Sequence, residues 1–325
     1  MVAGCGRAGF DAVVSAGDTA TVASDAGPSG DGAGSVDDDA GLGADDAGTT
    51  TGARFFRSDS LWNTPIAAQT VSWRDEPKMR AGSWSVSRDS YSSPVVFSQP
   101  SDPIVDVTVP GSWGWSAGVV QLRIPAGVTG SPDANGALVV VDGTTAYDFF
   151  VFNRASDTSA TAQARGQSDI VTGSGWGSPS PSQGAGTYGA GSNGLAGLVM
   201  GHELTEGLRH ALAVGMTGQV LAQGFVPPAI AGDGAGGGSI PEGSRLGIPP
   251  DIARPAGLSP QGNSLWEALQ TYGGWVVQQE GGSAPGVFHC DPNSVSDGDL
   301  DAFLGALDSI TPHLRVVVYD YPYDA

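Results

Sequence analysis

The sequence predicts an all-β body, a β-sandwich or jelly roll with a few short helices, preceded by a disordered stalk. Three observations carry that expectation. Beyond residue 52, segments of about six residues rich in Val, Ile, Tyr and Phe recur between Gly, Pro, Asp and Ser. Several alternate with period two, which puts one face in a core and the other outside. No helical segment regularly follows each strand, which argues against a parallel α/β sheet.

The N-terminus supplies an address. Val2-Ala3-Gly4-Cys5 has the shape of a bacterial lipobox, so residues 1–5 read as the remnant of a lipoprotein signal with Cys5 as the lipidated residue. Only Met1 to Gly4 precede the cysteine, so the rest of the leader is expected upstream or trimmed. Residues 6–52 are almost entirely Ala, Gly, Ser, Thr and Asp, with nine aspartates against Arg7. Such a segment buries too little apolar surface to order itself and reads as a linker. Residues 53–325 are then a single sandwich domain. The expected location is the bacterial outer membrane or cell surface, with lipid at Cys5 as the membrane contact.

In chain order, the strand candidates are 94–97, 104–109, 119–124, 137–141, 147–153, 161–167, 208–216, 219–222, 275–279 and 314–319. Val105, Val107 and Val109 oppose Asp106 and Thr108, and Val120, Leu122 and Ile124 oppose Gln121 and Arg123. Asp142-Gly143 predicts a hairpin between 137–141 and 147–153, with a loop longer than two residues. Three helices interrupt the strands. One starts at Ser192 or Asn193 and ends at Gly207. A second is opened by the capping box Ser264-Leu265-Trp266-Glu267 and closed by Gly273-Gly274. A third spans Asp299 to Ser309, with Leu300, Phe303, Leu304 and Leu307 on one stripe.

A net charge of −20 excludes nucleic acid as a partner, because that requires a basic stripe. Two cysteines exclude a disulfide framework and a thiolate zinc site. Gly114-Trp115-Ser116-Ala117-Gly118 fits a nucleophile elbow, but a strand follows it where a helix is required. Gly184 to Gly189 and Gly189 to Gly194 both fit G-x-G-x-x-G with no strand before them. His202-Glu203-Leu204-Thr205-Glu206 has Glu206 where a zincin needs its second histidine. No metal and no cofactor are expected.

What remains is a looser constellation. Glu203 and Glu206 are neighbours on one helical face, and His210 follows shortly. Asp148 begins a strand on the same face as Phe150 and Phe152. Gln163 and Arg165 share the polar face of another strand, and Arg123 faces outward from its own. Acids, arginine, histidine and aromatics on a cleft-facing sheet suit carbohydrate, because sugar faces stack on rings, hydroxyls take planar polar groups, and cleavage needs an acid and a base. His210, between Leu208 and Leu212, also fits a core histidine, and Asp148 and Arg165 also fit an ordinary salt bridge. Trp62, Trp266 and Trp275 suit packing better than sugar stacking.

The series Ser60 to Ile66, Val139 to Asp142, Tyr147 to Phe149, Leu195 to Leu198, Glu203-Leu204, Gly207, His210 to Leu212, Ile240 to Leu246 and Ala268 to Gly273 resembles a group of secreted bacterial proteins of unassigned function. The resemblance spans nearly all of residues 58–280. It implies one contiguous extracytoplasmic domain and brings no activity with it.

The expectation is a glycoside hydrolase cleaving an extracellular polysaccharide as a monomer. Asp148, Glu203 and His210 are the catalytic set, and Arg165, Gln163 and Arg123 bind substrate. The alternatives are a polysaccharide lyase on the same fold and a non-catalytic glycan-binding or adhesion domain.

Overall fold

A computed structural model describes residues 54–88, 91–111, 117–177 and 186–319. Cys5, the linker, most of the Gly114–Gly118 motif and the start of the Gly184–Gly189 motif lie outside these residues. The described part is β-rich with few short helices. Its first ten strands are β1 (Val71–Arg74), β2 (Ser85–Ser87), β3 (Val95–Phe97), β4 (Ile104–Val109), β5 (Gly118–Arg123), β6 (Leu138–Asp142), β7 (Thr145–Phe150), β8 (Asn153–Arg154), β9 (Ser159–Thr161) and β10 (Ala164–Asp169). After helix α1 (Glu203–Glu206) come β11 (Leu212–Thr217), β12 (Leu221–Phe225), β13 (Ile240–Glu242) and β14 (Arg245–Gly247). Helix α2 (Pro260–Thr271), β15 (Gly274–Glu280), β16 (Gly286–His289), helix α3 (Asp297–Ile310) and β17 (Arg315–Tyr319) complete the order.

The largest sheet has seven strands in the order β1-β17-β14-β15-β11-β16-β2, with β11 parallel to β15 and β16 parallel to β2. Leu212, Val214 and Met216 of β11 and Val276 of β15 share a core with Leu265, Leu269, Phe303 and Leu307 of helices α2 and α3. The alternate residues Ala213, Trp275 and Val277 share a second core with Val139 and Val141 of β6. The sheet β10-β7-β6-β3 therefore faces the large sheet. On its other side, Leu138, Val140 and Phe149 pack with Val105, Val107, Leu122 and Ala160 of the sheet β5-β4-β9-β8. Central strands covered on both faces read as continuous apolar runs, which is why Leu138 to Val141 and Trp275 to Val277 do not alternate.

Trp62, Trp176 and Trp275 form one aromatic cluster, with ring centroids 5.1 and 5.7 Å apart along the series. Trp62 and Trp275 are core residues, as is Trp266. Among the described residues no helix is long and apolar enough to cross a membrane.

Several elements differ from expectation. No helix forms over 192–202. Gly197 has φ 71°, and a Cβ there would lie 2.3 Å from the Trp62 ring. Backbone groups in this stretch bond instead to sheet neighbours, Ala213 N–H donating to Gly197 and Val199 N–H to His289. Helix α2 starts four residues before Ser264, with Ser259 as its cap: the Ser259 hydroxyl accepts the Gly262 N–H and Pro260 occupies the first turn. In α3, Phe303 and Leu307 are buried but Leu304 is exposed.

The 161–167 segment is two strands, β9 in the outer sheet and β10 beside β7. Likewise the 147–153 segment ends as β7 at Phe150. Val151 has φ 54°, and the chain leaves for β8 in the outer sheet. The β6–β7 hairpin has a two-residue loop, since Asp142 pairs with Thr145 and Gly143 takes φ 62°.

Candidate functional site

Glu203 begins α1, a single turn stopped by Gly207 at φ 104°. A left-handed or extended-positive φ of this kind suits glycine, and it turns the chain back on itself. Leu208 N–H then donates to the Ser264 hydroxyl of α2 at 2.8 Å, and Ala211 N–H donates to Trp62 O at 2.7 Å. These two bonds hold 208–211 off the sheet, so β11 starts only at Leu212 and His210 stands before it. His210 is therefore not flanked by Leu208 and Leu212 on a strand face.

The turn brings His210 Nε2 to 2.9 Å from Glu203 Oε1. His210 Nδ1 lies 2.8 Å from Ala211 O, so Nδ1 carries a proton. Met200 N–H donates to Glu203 Oε2 at 2.9 Å. Both side chains keep about an eighth of their surface in solvent (13% and 14%). Burial pushes the Glu203 carboxyl up, but the His210 charge, its hydrogen bond and the Met200 amide together hold it below the ordinary value. Burial pushes the His210 imidazole down, yet the Glu203 charge and the two hydrogen bonds raise it above its ordinary value. With a carbonyl at Nδ1 and a carboxylate at Nε2, the ring is an imidazolium beside a carboxylate.

Arg54 acts on this pair and Tyr272 is bonded to Arg54; neither was picked out by its sequence pattern. The Arg54 charge opposes protonation of His210. Its guanidinium donates to the Tyr272 hydroxyl at 3.1 Å and lies 5.5 Å from that ring's centre. Tyr272 is held from below, because buried Arg245 donates twice to its carbonyl, at 2.8 and 2.6 Å. The Glu206 side chain is exposed.

The other expected residues do not join them. Asp148 is wholly buried and accepts from Thr187 N–H at 2.5 Å, Asn193 Nδ2 at 2.8 Å and Gly194 N–H at 3.1 Å. It anchors the 187–194 segment to β7 and lies in a core, not a groove. Burial pushes its carboxyl up to about 6 against the pull of those backbone amides. Phe152 joins Phe149 on the opposite side of that sheet, because the backbone reverses at Val151.

Arg165 pairs with Phe149, whereas Asp148 pairs with Gly166, so Arg165 and Asp148 face opposite sides of the same sheet. Gln163 is exposed in the crossing between β9 and β10. Arg123 sits on β5 with its guanidinium 3.8 Å from Asp142. A second polar group, Tyr188, Glu280 and His289, lies buried between the sheets. It left no sequence signal, since its members come from a loop and two separate strands. Comparison with protein-family models, curated proteins and solved structures finds no match to this chain.

Proposed function

We propose that this protein is a cell-surface, monomeric carbohydrate-active enzyme that hydrolyses an extracellular polysaccharide at the Glu203–His210 pair. The observation that carries the reading is a carboxylate and an imidazolium 2.9 Å apart, both still reaching solvent. General acid–base hydrolysis needs one of each. In the proposed step substrate parts the pair, and His210 Nε2–H protonates the glycosidic oxygen as its bond to the anomeric carbon breaks. Glu203 takes a proton from the water whose oxygen attacks that carbon. Arg54 and His202, whose charges reach the pair, and Tyr272, bonded to Arg54, would hold sugar hydroxyls.

The reading keeps a sandwich or jelly-roll scaffold, supported by two sheets that share a core of Val139, Val141, Trp275 and Val277. It also keeps lipid anchoring, supported by Val2 to Cys5 and the Asp/Gly/Ala segment behind them.

A second reading, glycan binding without cleavage, is favoured by a specific observation. Both His210 nitrogens and both Glu203 oxygens already have partners, and a 2.9 Å contact leaves no room for a water between acid and base.

A polysaccharide panel separates the readings, scored by reducing ends and by absorbance of unsaturated product. Hydrolysis predicts new reducing ends without absorbance, lost about 10²–10⁴-fold in Glu203→Gln. Absorbance would indicate elimination. Binding that depends on Arg54 and Tyr272, with no cleavage by the intact protein, makes it a binding module.

A further inference from the structure

The seam between the seven-stranded sheet and β7, beneath residues 186–194, concentrates buried polar groups that the Glu203–His210 pair does not use. His289 of β16 is fully buried, and neither ring nitrogen has a hydrogen-bond partner. Its Nε2 lies 3.2 Å from Glu280 Oε1, off the hydrogen-bonding direction. The Tyr188 ring packs on His289 with centroids 5.4 Å apart, and its buried hydroxyl is also unpartnered.

Two more buried, unpartnered hydroxyls belong to Ser192 and to Ser87, which pairs with His289 across β2 and β16. Glu280 reaches His289 by crossing β11 at Gly215, where a Cβ would lie 2.3 Å from its carboxylate. Gln278 donates to Glu280 at 2.8 Å. A buried donor or acceptor left unpaired costs more than an ordinary hydrogen bond contributes, so Tyr188 and Ser87 beside His289, with Ser192 in the overlying segment, point to a polar guest.

We propose that this seam is a binding site for a small neutral polyol. The chemistry selects that class. Burial, then Glu280 and Asp148, act on the Tyr188 hydroxyl to keep it protonated, and the two acids disfavour an anion. Among the described residues no group of three His, Cys, Asp or Glu is placed to hold a metal ion. An apolar guest leaves the four side chains unpaired. Hydroxyl groups both donate and accept, as Tyr188, Ser87, Ser192 and the two sides of an imidazole require.

The test uses the full chain with glycerol, erythritol, glucose and galactose as probes and sodium sulfate as the anionic control. The site is buried, so uptake follows local opening and samples are equilibrated for hours before thermal midpoints are read. Polyols stabilise most proteins by exclusion from the surface, a response that rises without saturating. The expected signature is a saturable component above it for at least one neutral probe, with affinity about tenfold weaker in Tyr188→Phe. If Tyr188→Phe does not fold, Ser87→Ala serves the same comparison. A response without a saturable component, one identical in wild type and variant, or saturation by sulfate alone overturns the proposal.

Discussion

The guanidinium of Arg245 lies 5.0 Å from the ring centre of Trp275, buried between β14 and the strands beside it. Its hydrogens leave that stack in three directions, to Tyr272 O, to Thr64 O at 2.5 Å and to the Tyr319 hydroxyl at 3.0 Å. One side chain thus ties the end of α2, the N-terminal loop and β17 together. Removing it leaves two part-buried carbonyls without this donor. Arg245→Met should lower unfolding free energy by about 1–3 kcal/mol. Arg245→Lys should recover little, since an ammonium cannot reproduce the flat fork over an indole. Urea unfolding measures both, and a loss under about 1 kcal/mol in Arg245→Met would show that the network is dispensable.

The Glu203–His210 pair makes a two-sided prediction in pH. Glu203 is lowered in the folded state, so its contribution is present above the ordinary carboxylate value and is lost as pH falls through the lowered one. His210 is raised, so its contribution is complete below the ordinary imidazole value and is lost as pH rises through the raised one. The pair should stabilise most between the two. Thermal midpoints of wild type minus Glu203→Gln, followed across pH, should form a plateau with a shoulder on each side. A difference that does not vary with pH is incompatible with this ion pair.

Asp148 should behave in the opposite sense. Its folded value of about 6 exceeds the ordinary 3.8, so the folded protein holds a proton that the unfolded chain has released. Its contribution is most favourable at low pH and declines as pH rises from 3.8 through about 6. Asp148→Ala should remove that slope. It should also cost about 1–3 kcal/mol, because the donors of Thr187, Asn193 and Gly194 lose their acceptor. Hydrogen exchange at Thr187 and Gly194 reports the same loss locally, and unchanged protection there would contradict the anchoring role.

How much of this was legible follows from what each signal measures. Alternation found β4 and β5 because one face of each is exposed, so Val105, Val107 and Val109 stand out against Asp106 and Thr108. It located no strand at β2, β13, β14 or β16, which are three or four residues long and take their place from pairing with distant partners. The site was half legible. Glu203 and His210 are seven residues apart, so a local turn brings them together. Asp148 and Arg165 looked like companions because both were expected on a cleft-facing sheet. A register of Arg165 with Phe149 sends them to opposite faces, and register is a long-range property that a period of two cannot supply. Tyr188, Glu280 and His289 meet through tertiary packing alone.

The last prediction separates two serines that a capping pattern confuses. Ser264-Leu265-Trp266-Glu267 has the spacing of a capping box, yet Ser264 lies inside α2 and its hydroxyl is turned toward another segment. There it accepts Leu208 N–H and faces Glu203 O at 3.4 Å, so it supports the turn that carries Glu203 and His210. Ser259 does the capping, accepting Gly262 N–H at 3.0 Å. Ser259→Ala should therefore cost about 1 kcal/mol through the helix end, leaving the Glu203–His210 titration as it is. Ser264→Ala should leave the start of α2 protected against exchange while exposing the buried Leu208 amide, at about 1–3 kcal/mol. It should also narrow the pH plateau of the pair, because the turn that fixes their 2.9 Å contact loses its support. If instead Ser264→Ala frays the first turn of α2 and spares Leu208, the capping-box reading is right and the helix begins later than Pro260.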